Sequence, residues 1–178
     1  MKKLLSESVN CDPSSTTDQH HMKPLMRYTE FFLGYAEAAN EAWGPQGKGS
    51  FGFSAYDVIK AIRSRAGISD INDEDGYLES IKNDKEKMRE LIRNERRIEL
   101  CFEGYRFWDL RRWKALDTAK EVTGMRCEKQ SDGTFKYTRF AFTPRTNTGD
   151  KYQLYPLESS EATKMEKLTG TSWQNPGW

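Results

Sequence analysis

The segment 95–113 (ERRIELCFEGYRFWDLRRW) combines charged and large aromatic side chains in one short run. On a helical wheel its apolar residues fall on both halves, and Arg96, Glu99, Glu103 and Arg106 recur between them at spacings of three and four. A helix that is apolar nearly all round is packed between neighbours, and its charges must then be paired. The pattern predicts a buried helix with internal ion pairs at the centre of a helical scaffold.

Four residues in this segment extend the prediction. Gly104 stands alone on its sector of the wheel, where a bare backbone would let a neighbour pack closely. Trp108 and Trp113 are expected in the core, and Cys101 is expected as a buried free thiol beside Leu100.

Catalysis is a competing interpretation of the carboxylates in this segment. Glu95, Glu99 and Glu103 each have an arginine at helical spacing, and an arginine lowers the pKa of a neighbouring carboxyl group, which makes it a poor general acid. The basic run 111–114 could bind phosphates, but positive residues are also favoured at a helix C-terminus. The structural interpretation is preferred in both cases.

The overall composition excludes several classes of protein. The 178 residues include 28 basic and 27 acidic side chains, and this balance argues against a dedicated nucleic-acid binder. No run approaches the length of a membrane-spanning helix. Three cysteines are too few for a zinc cluster or a disulfide framework, although one bridge between Cys11 and Cys127 stays open. The apolar part of Met1–Leu5 is too short for a signal peptide.

The first half of the chain is expected to form a helix pair. Residues 25–43 show helical spacing, with a predicted apolar stripe of Phe31, Phe32, Tyr35, Ala39 and Ala42. Gly44 and Pro45 should end that helix. A capping box from Ser54 to Asp57 should begin a second helix that stops at Gly67. Two helices joined by a tight link form the unit of tetratricopeptide-like repeats.

The remaining segments are predicted from local signals. Residues 6–24, with the adjacent pair His20 and His21, and the acidic run 69–76 are expected to be loops without metal. The chain from about 77 to 116 is predicted to be helical, with a possible break near 83–84. A hairpin with a bulge at Ala141 is expected around 135–142, and a short helix around 158–167. The terminus 172–178 should fold back and dock.

Five ordered segments make the chain resemble the SusD/RagB family. The run 95–113 looks like that family's signature helix, and the others agree in order: 27–41 (RYTEFFLGYAEAANE), 62–67 (IRSRAG), 154–157 (LYPL) and 174–178 (QNPGW). The resemblance covers about 25–178, so residues 1–24 are interpreted as a strand and loop remnant and 25–178 as the family's C-terminal domain. Met1–Leu5 looks like the strand that precedes the first matching helix.

The resemblance implies a fold and a function. The fold would be mainly α, with tetratricopeptide-like helix pairs, a small β-hairpin and an irregular C-terminal segment. The function would be that of an outer-membrane, surface-exposed lipoprotein that binds oligosaccharides, or less often peptides, for a SusC-like TonB-dependent transporter. It implies neither an enzyme nor a cofactor. Family members are several hundred residues long, so the missing N-terminal part of the same protein is an expected partner.

The resemblance also sorts the candidate residues. The matching positions are structural: Glu95, Arg96, Glu99, Glu103, Gly104, Arg106, Asp109, Arg112, Trp113, Asn175, Pro176 and Gly177. No ligand residue carries over from the motifs. Trp43, Phe51, Phe53 and Tyr77 lie at or near loops, where rings could stack on sugars or pack between helices. The alternative is a stand-alone helical-repeat module that binds a protein, and an exposed apolar face on 25–43 would favour a fragment of a longer protein over that module.

Overall fold

The computed structural model describes residues 3, 6–10, 12–20, 24–68, 75–146 and 149–178. These residues contain six α-helices, two short 3-10 helices and one antiparallel strand pair, so the fold is mainly α as expected. They divide into two units, Met1–Glu99 and Leu100–Trp178. The helices are α1 (Tyr28–Trp43), α2 (Ala55–Arg65), α3 (Gly76–Ile81), α4 (Lys85–Glu99), α5 (Tyr105–Arg112) and α6 (Ser159–Thr169).

The core of the first unit lies where α1 packs against α2 and α4. Each helix contributes an apolar stripe at helical spacing: Leu33, Ala36 and Ala39 from α1, Val58, Ile59 and Ile62 from α2, and Met88, Leu91 and Ile92 from α4. The alanines of α1 let the neighbouring helices approach closely.

The predicted apolar stripe of α1 is largely wrong. Phe31, Phe32 and Ala42 are exposed, and of the predicted positions only Ala39 is fully buried. Helix α1 carries apolar residues on two faces, and periodicity alone does not decide which face turns toward a neighbour. The close contact with α2 and α4 selects the face with the small side chains.

The ends of the helix pair follow their sequence signals. Ser54 Oγ accepts a hydrogen bond from Asp57 N (3.2 Å), and Ser54 N donates to Asp57 Oδ2 (2.8 Å), which confirms the capping box. Gly44, with φ of +79°, ends α1, and Gly67, with φ of +74°, follows the last turn of α2.

The predicted helix through 95–113 is wrong, because the chain breaks between α4 and α5. Phe102 and Gly104 have φ of 64° and 87°, in the left-handed region that an α-helix does not use. Nothing lies within 4 Å of a Cβ built on Gly104, so this glycine serves the turn rather than close packing.

The break also changes burial in this segment. Trp108 is 58% exposed and therefore not in the core, while Trp113 and Cys101 are half-buried. The helical wheel assumed one continuous helix through these residues. The turn at 100–104 interrupts that helix, so the faces that the wheel assigned to the residues beyond it do not apply.

The second unit contains the predicted hairpin. Strands β1 (Thr123–Lys129) and β2 (Phe135–Ala141) pair without interruption from Thr123↔Ala141 to Lys129↔Phe135, so the bulge predicted at Ala141 is absent from this pair. Gly133, with φ of +84°, lies in the turn, where Asp132 Oδ1 accepts from Thr134 N (2.9 Å). Both faces of the hairpin are largely exposed.

The C-terminal segment docks as predicted, after the short helix α6. Trp178 Nε1 donates to Lys151 O (2.8 Å), and the indole meets Tyr152 edge-on at 5.6 Å between ring centres. Trp178 lies at the terminus, so its side chain fixes the end of the chain to the segment before α6.

Some predictions concern residues outside the described ranges. Cys11, His21 and most of the acidic loop, residues 69–74, belong there, whereas Cys127 has a free, exposed thiol. No helix within the described ranges is long and apolar enough to cross a membrane.

Candidate functional site

Four aromatic rings come together where α1 meets the loop that leads to α2. We call this group the loop platform and define it as Tyr35, Trp43, Phe51 and Phe53. Ring centres lie 4.6 Å apart for Tyr35–Phe53, 5.5 Å for Tyr35–Phe51 and 6.2 Å for Trp43–Phe51. Three of the four predicted ligand-binding rings thus form one aromatic surface.

The platform is accessible to a ligand. Trp43 and Phe51 each have about half of their surface exposed, at 47% and 52%, and Phe53 is 38% exposed. Tyr35, which the sequence placed in the apolar stripe, is half-buried beneath the two phenylalanines' loop and contacts both rings. Ring–ring contact keeps these side chains in place while leaving part of each ring open to solvent.

Hydrogen bonds hold the loop against the helices. Tyr35 Oη donates to Phe53 O (2.7 Å), and Tyr56 N donates to Pro45 O (2.8 Å). Gln46 Nε2 donates to Asn83 Oδ1 (2.6 Å), which connects the loop to the turn between α3 and α4. A loop fixed at both ends presents its rings in one arrangement, which lowers the entropy cost of binding.

Two glycines let the loop backbone pass directly along Trp43. A Cβ built on Gly47 would lie 2.4 Å from Trp43 Cβ, and one on Gly49 would lie 2.5 Å from Trp43 Cζ2. Gly49 also has φ of +55°, which disfavours any other residue. The indole is therefore fixed by backbone on one side, and this requires glycine at both positions.

Charged groups border the aromatic surface. Lys48 Nζ lies 3.2 Å from Asp57 Oδ2, and Asp57 also caps α2. Burial opposes ionisation of Asp57, but hydrogen bonds from Ser54 and Lys48 outweigh it and hold the pKa of Asp57 below its ordinary value. Apolar rings with a few fixed polar groups at the edge are typical of small-ligand sites.

Tyr77 does not join the platform. It lies in the first turn of α3 and is 53% exposed. None of the ring contacts found in the described ranges links it to the other three predicted rings. The prediction for Tyr77 therefore stands apart from that for Trp43, Phe51 and Phe53.

The carboxylates of the signature segment connect helices instead of forming a reactive pair. Glu95 Oε1 accepts from Arg63 Nη1, and Glu99 Oε1 accepts from Arg65 Nη2, each at 2.6 Å. Both arginines belong to α2, so these two ion pairs run between helices. The sequence had suggested ion pairs along one helix. Spacing within a segment could not reveal these partners, because they come from a different helix.

Comparison with known proteins identifies the family. A sequence model of the SusD family matches residues 1–178. The chain belongs to the SusD family. SusD-like protein P38 of Formosa agariphila is 33% identical over 104 residues, which make up 57% of this chain and 19% of that protein. The match thus spans about a fifth of that relative's length. No solved structure matches.

In this SusD-family chain, the signature residues of α5 make local contacts. Buried Asp109 accepts from Arg112 Nε (2.9 Å), which orients that guanidinium 4.8 Å from the Trp113 ring. The guanidinium carbon of Arg106 also lies near this ring, 5.9 Å from its centre. These contacts stabilise the helix around Trp113.

The C-terminal motif of this SusD-family chain holds the segment 154–157. Asn175 Nδ2 donates to Tyr155 O, while Gln174 accepts from Leu157 N (2.7 Å) and donates to Leu157 O (3.0 Å). Gly177, which follows Pro176, has φ of +87°. A Cβ built on Gly177 would lie 2.7 Å from Lys151 Cβ, so the backbone passes close to Lys151. The motif therefore works as a clamp on the segment before α6.

Proposed function

We propose that this chain is the C-terminal part of a SusD-type nutrient-binding protein that captures glycans, and less often peptides, at the cell surface. The family match over residues 1–178 supports the class of protein. The loop platform supports the ligand, because sugars present flat faces of C–H groups that pack on exposed rings. The braced, half-exposed Trp43 in contact with Phe51 is the observation that carries this proposal.

Capture would be reversible and would break no covalent bond. A sugar ring would lie over Trp43 or Phe51, and its hydroxyl groups would exchange hydrogen bonds with Lys48 and nearby loop carbonyls. Glu95 and Glu99 are each paired with an arginine of α2, so neither carboxylate is left open to act as a catalytic acid or base. We therefore propose a binding protein and not an enzyme.

Family membership also suggests the partner and the location. We propose that the whole protein is lipid-anchored in the outer membrane, faces the outside, and passes its ligand to a SusC-like TonB-dependent transporter. Within that protein, residues 1–24 would form a connecting strand and loop, and 25–178 would form the C-terminal domain. The support is the family match together with the short share of the relative's length that this chain covers.

The outer face of α1 favours a longer protein over a stand-alone interaction module. Leu25, Tyr28, Phe31 and Phe32 lie along this helix or just before it, and each is between 47% and 86% exposed. Adjacent apolar side chains of this size are usually covered by protein. We propose that further residues of the same protein pack there.

A glycan array tests the proposal. The purified chain is labelled and applied to neutral oligosaccharides, alongside a Trp43→Ala variant whose folding is checked by circular dichroism. We expect the native chain to bind a subset of glycans and the variant to lose most of that signal. Absence of glycan binding by the folded native chain, or equal binding by the variant, would contradict the proposal.

A further inference from the structure

A second aromatic group lies in the unit Leu100–Trp178. Phe107 and Trp108 of α5 meet edge-on with ring centres 5.1 Å apart, and Tyr155 lies 5.9 Å from the first ring and 5.7 Å from the second. All three rings are at least 41% exposed. We call this group the α5 corner. Its three rings contact one another, so they present a continuous apolar surface rather than scattered side chains.

Arg111 places a positive charge in this corner. Its guanidinium carbon lies 3.6 Å from the centre of the Phe107 ring and 5.3 Å from that of Tyr155. Among the described residues its hydrogen bonding is limited to Nη1, which donates to Phe107 O (3.1 Å), and its Nε is buried without an acceptor. The neighbouring Arg112, in contrast, is paired with Asp109.

A half-buried guanidinium without a carboxylate is unusual in a folded protein. Loss of hydration disfavours the charge, and a charge-assisted hydrogen bond to an anion restores the lost interaction. No carboxylate within the described ranges forms an ion pair with Arg111. The corner therefore fits a ligand that brings its own negative charge.

The corner is built on fixed segments. Asn175 holds the carbonyl group of Tyr155, and Gln174 holds both main-chain groups of Leu157. Trp178 Nε1 donates to Lys151 O (2.8 Å) and Leu154 O (3.2 Å), just before Tyr155. The C-terminal clamp thus holds the Tyr155 ring beside α5, which is the preorganisation that a binding site requires.

We propose that Phe107, Trp108, Tyr155 and Arg111 bind an acidic sugar of the uronate type. The flat face of the pyranose ring packs on Trp108 and Tyr155, and the carboxylate of the sugar pairs with the guanidinium of Arg111. This inference rests on the proposed function in one respect, namely that the ligand is a saccharide. It adds the chemical class of the ligand and a second place of contact.

The main-chain hydrogen bonds of the corner favour a sugar over a peptide. An extended peptide binds by pairing with free main-chain groups. In the corner, Phe107 O is taken by Arg111, Tyr155 O by Asn175, and both groups of Leu157 by Gln174, while Pro156 has no N–H to donate. The groups of the corner that are left for a ligand are the faces of its rings and the cation of Arg111, and a uronate contacts both.

The test compares two ligands that differ at the carboxyl group, which is charged in one and a neutral methyl ester in the other. Trigalacturonic acid and its fully methyl-esterified form are titrated into the complete chain by isothermal calorimetry. We expect the acid to bind at least tenfold more tightly, since a charge-assisted hydrogen bond is worth about a factor of ten or more. Equal affinity of the acid and the ester would overturn the inference without the need for any variant.

Two variants test whether Arg111 causes the difference in affinity between the acid and the ester. Arg111→Met should remove the difference between acid and ester. Arg126→Met is the matched control, because Arg126 is an exposed arginine that also stacks on a ring, 5.5 Å from Phe140, and it should keep the difference. A difference that survives in Arg111→Met, or that disappears in Arg126→Met, would contradict the assignment.

The outcomes separate this inference from the proposed function. Trp43→Ala should keep the preference for the acid, because the loop platform belongs to the other unit. Binding of neutral glycans without an acid preference would defeat only the α5 corner. Absence of binding to any saccharide would defeat both proposals. Displacement of trigalacturonate by triglutamate at equal or lower concentration would point to a peptide and overturn the choice of a sugar.

Discussion

Arg63 of α2 donates from Nη1 to Glu95 Oε1 of α4 across 2.6 Å. The same guanidinium binds Asp75, whose Oδ1 caps α3 by accepting from Leu78 N (3.2 Å). Each of the three side chains is at most 11% exposed. One arginine therefore connects three helices of the first unit, and its removal would leave two buried carboxylates without a counter-charge.

We expect Arg63→Met to destabilise the first unit by about 3–5 kcal/mol, because breaking a buried ion pair leaves an uncompensated charge. Arg65→Met is the matched control. Arg65 pairs with Glu99 but is 57% exposed, so its removal should cost about 1 kcal/mol or less. Urea denaturation followed by circular dichroism measures both variants. Equal losses for the two would contradict the buried three-helix connection.

The pH dependence of stability should report on Asp75. Burial opposes its ionisation, but the hydrogen bonds and charge of Arg63 outweigh burial and lower the pKa of Asp75 below its ordinary value. Unfolding restores the ordinary pKa, so the stabilisation is complete above about pH 4 and is lost as the pH falls through the folded pKa.

Asp75→Asn should therefore flatten the acid side of the stability profile. The variant is expected to be less stable than the native chain at pH 7, with a smaller difference at pH 3. The free energy of unfolding, measured by urea denaturation between pH 3 and 7, provides the comparison. Parallel profiles for the native chain and the variant would show that Asp75 does not contribute in this way.

Gly49 and Gly52, two glycines of the loop between α1 and α2, should respond differently to replacement by alanine. Gly49→Ala would place a methyl group against the Trp43 ring at a backbone with positive φ, so we expect the indole to move and glycan affinity to fall at least tenfold. Gly52→Ala meets nothing within 4 Å and should bind normally. The side-chain N–H signal of Trp43 in a nitrogen–proton NMR spectrum should shift in the first variant alone. Similar spectra for both would contradict the bracing of Trp43.

Gly104 and Gly34 should respond to alanine with opposite signs. Gly104 has φ of +87°, so Gly104→Ala should cost about 1 kcal/mol although there is space for a methyl group. Gly34 lies inside α1, also with nothing within 4 Å, so Gly34→Ala should stabilise by about 0.5–1 kcal/mol. Thermal unfolding distinguishes them. A neutral or stabilising Gly104→Ala would indicate that the chain tolerates a continuous helix here.

Local signals in the sequence predicted the elements well. The capping box at Ser54, the stop at Gly44 and the turn before β2 each depend on residues next to one another, and the structure has them where they were expected. Such features are set by the backbone preferences of a few neighbouring residues, which a sequence shows directly.

Tertiary relationships were harder to predict. Helical spacing suggested that Glu95 and Glu99 pair along their own helix, but the partners are Arg63 and Arg65 of α2. The wheel also continued through Phe102 and Gly104, whose left-handed φ angles end the periodicity. Both errors arise because spacing describes one helix and contains no information on its neighbours.

The loop platform was predictable in part. Trp43, Phe51 and Phe53 were chosen because rings near loops are often exposed, and the structure brings them together. Tyr35 was missed as a member because it fits a helical apolar stripe, and Tyr77 was included although it lies in α3. A sequence does not show which turn of a helix lies beneath a loop.

The central claim is that the loop platform binds glycans, and one titration tests it most directly. The best glycan from the array is titrated by calorimetry into the native chain, Trp43→Ala and Tyr77→Ala. We predict at least a tenfold rise in Kd for Trp43→Ala, as expected for a central ring of a binding site, and no change for Tyr77→Ala, an equally exposed ring outside the platform. An unchanged Kd in Trp43→Ala would contradict the claim.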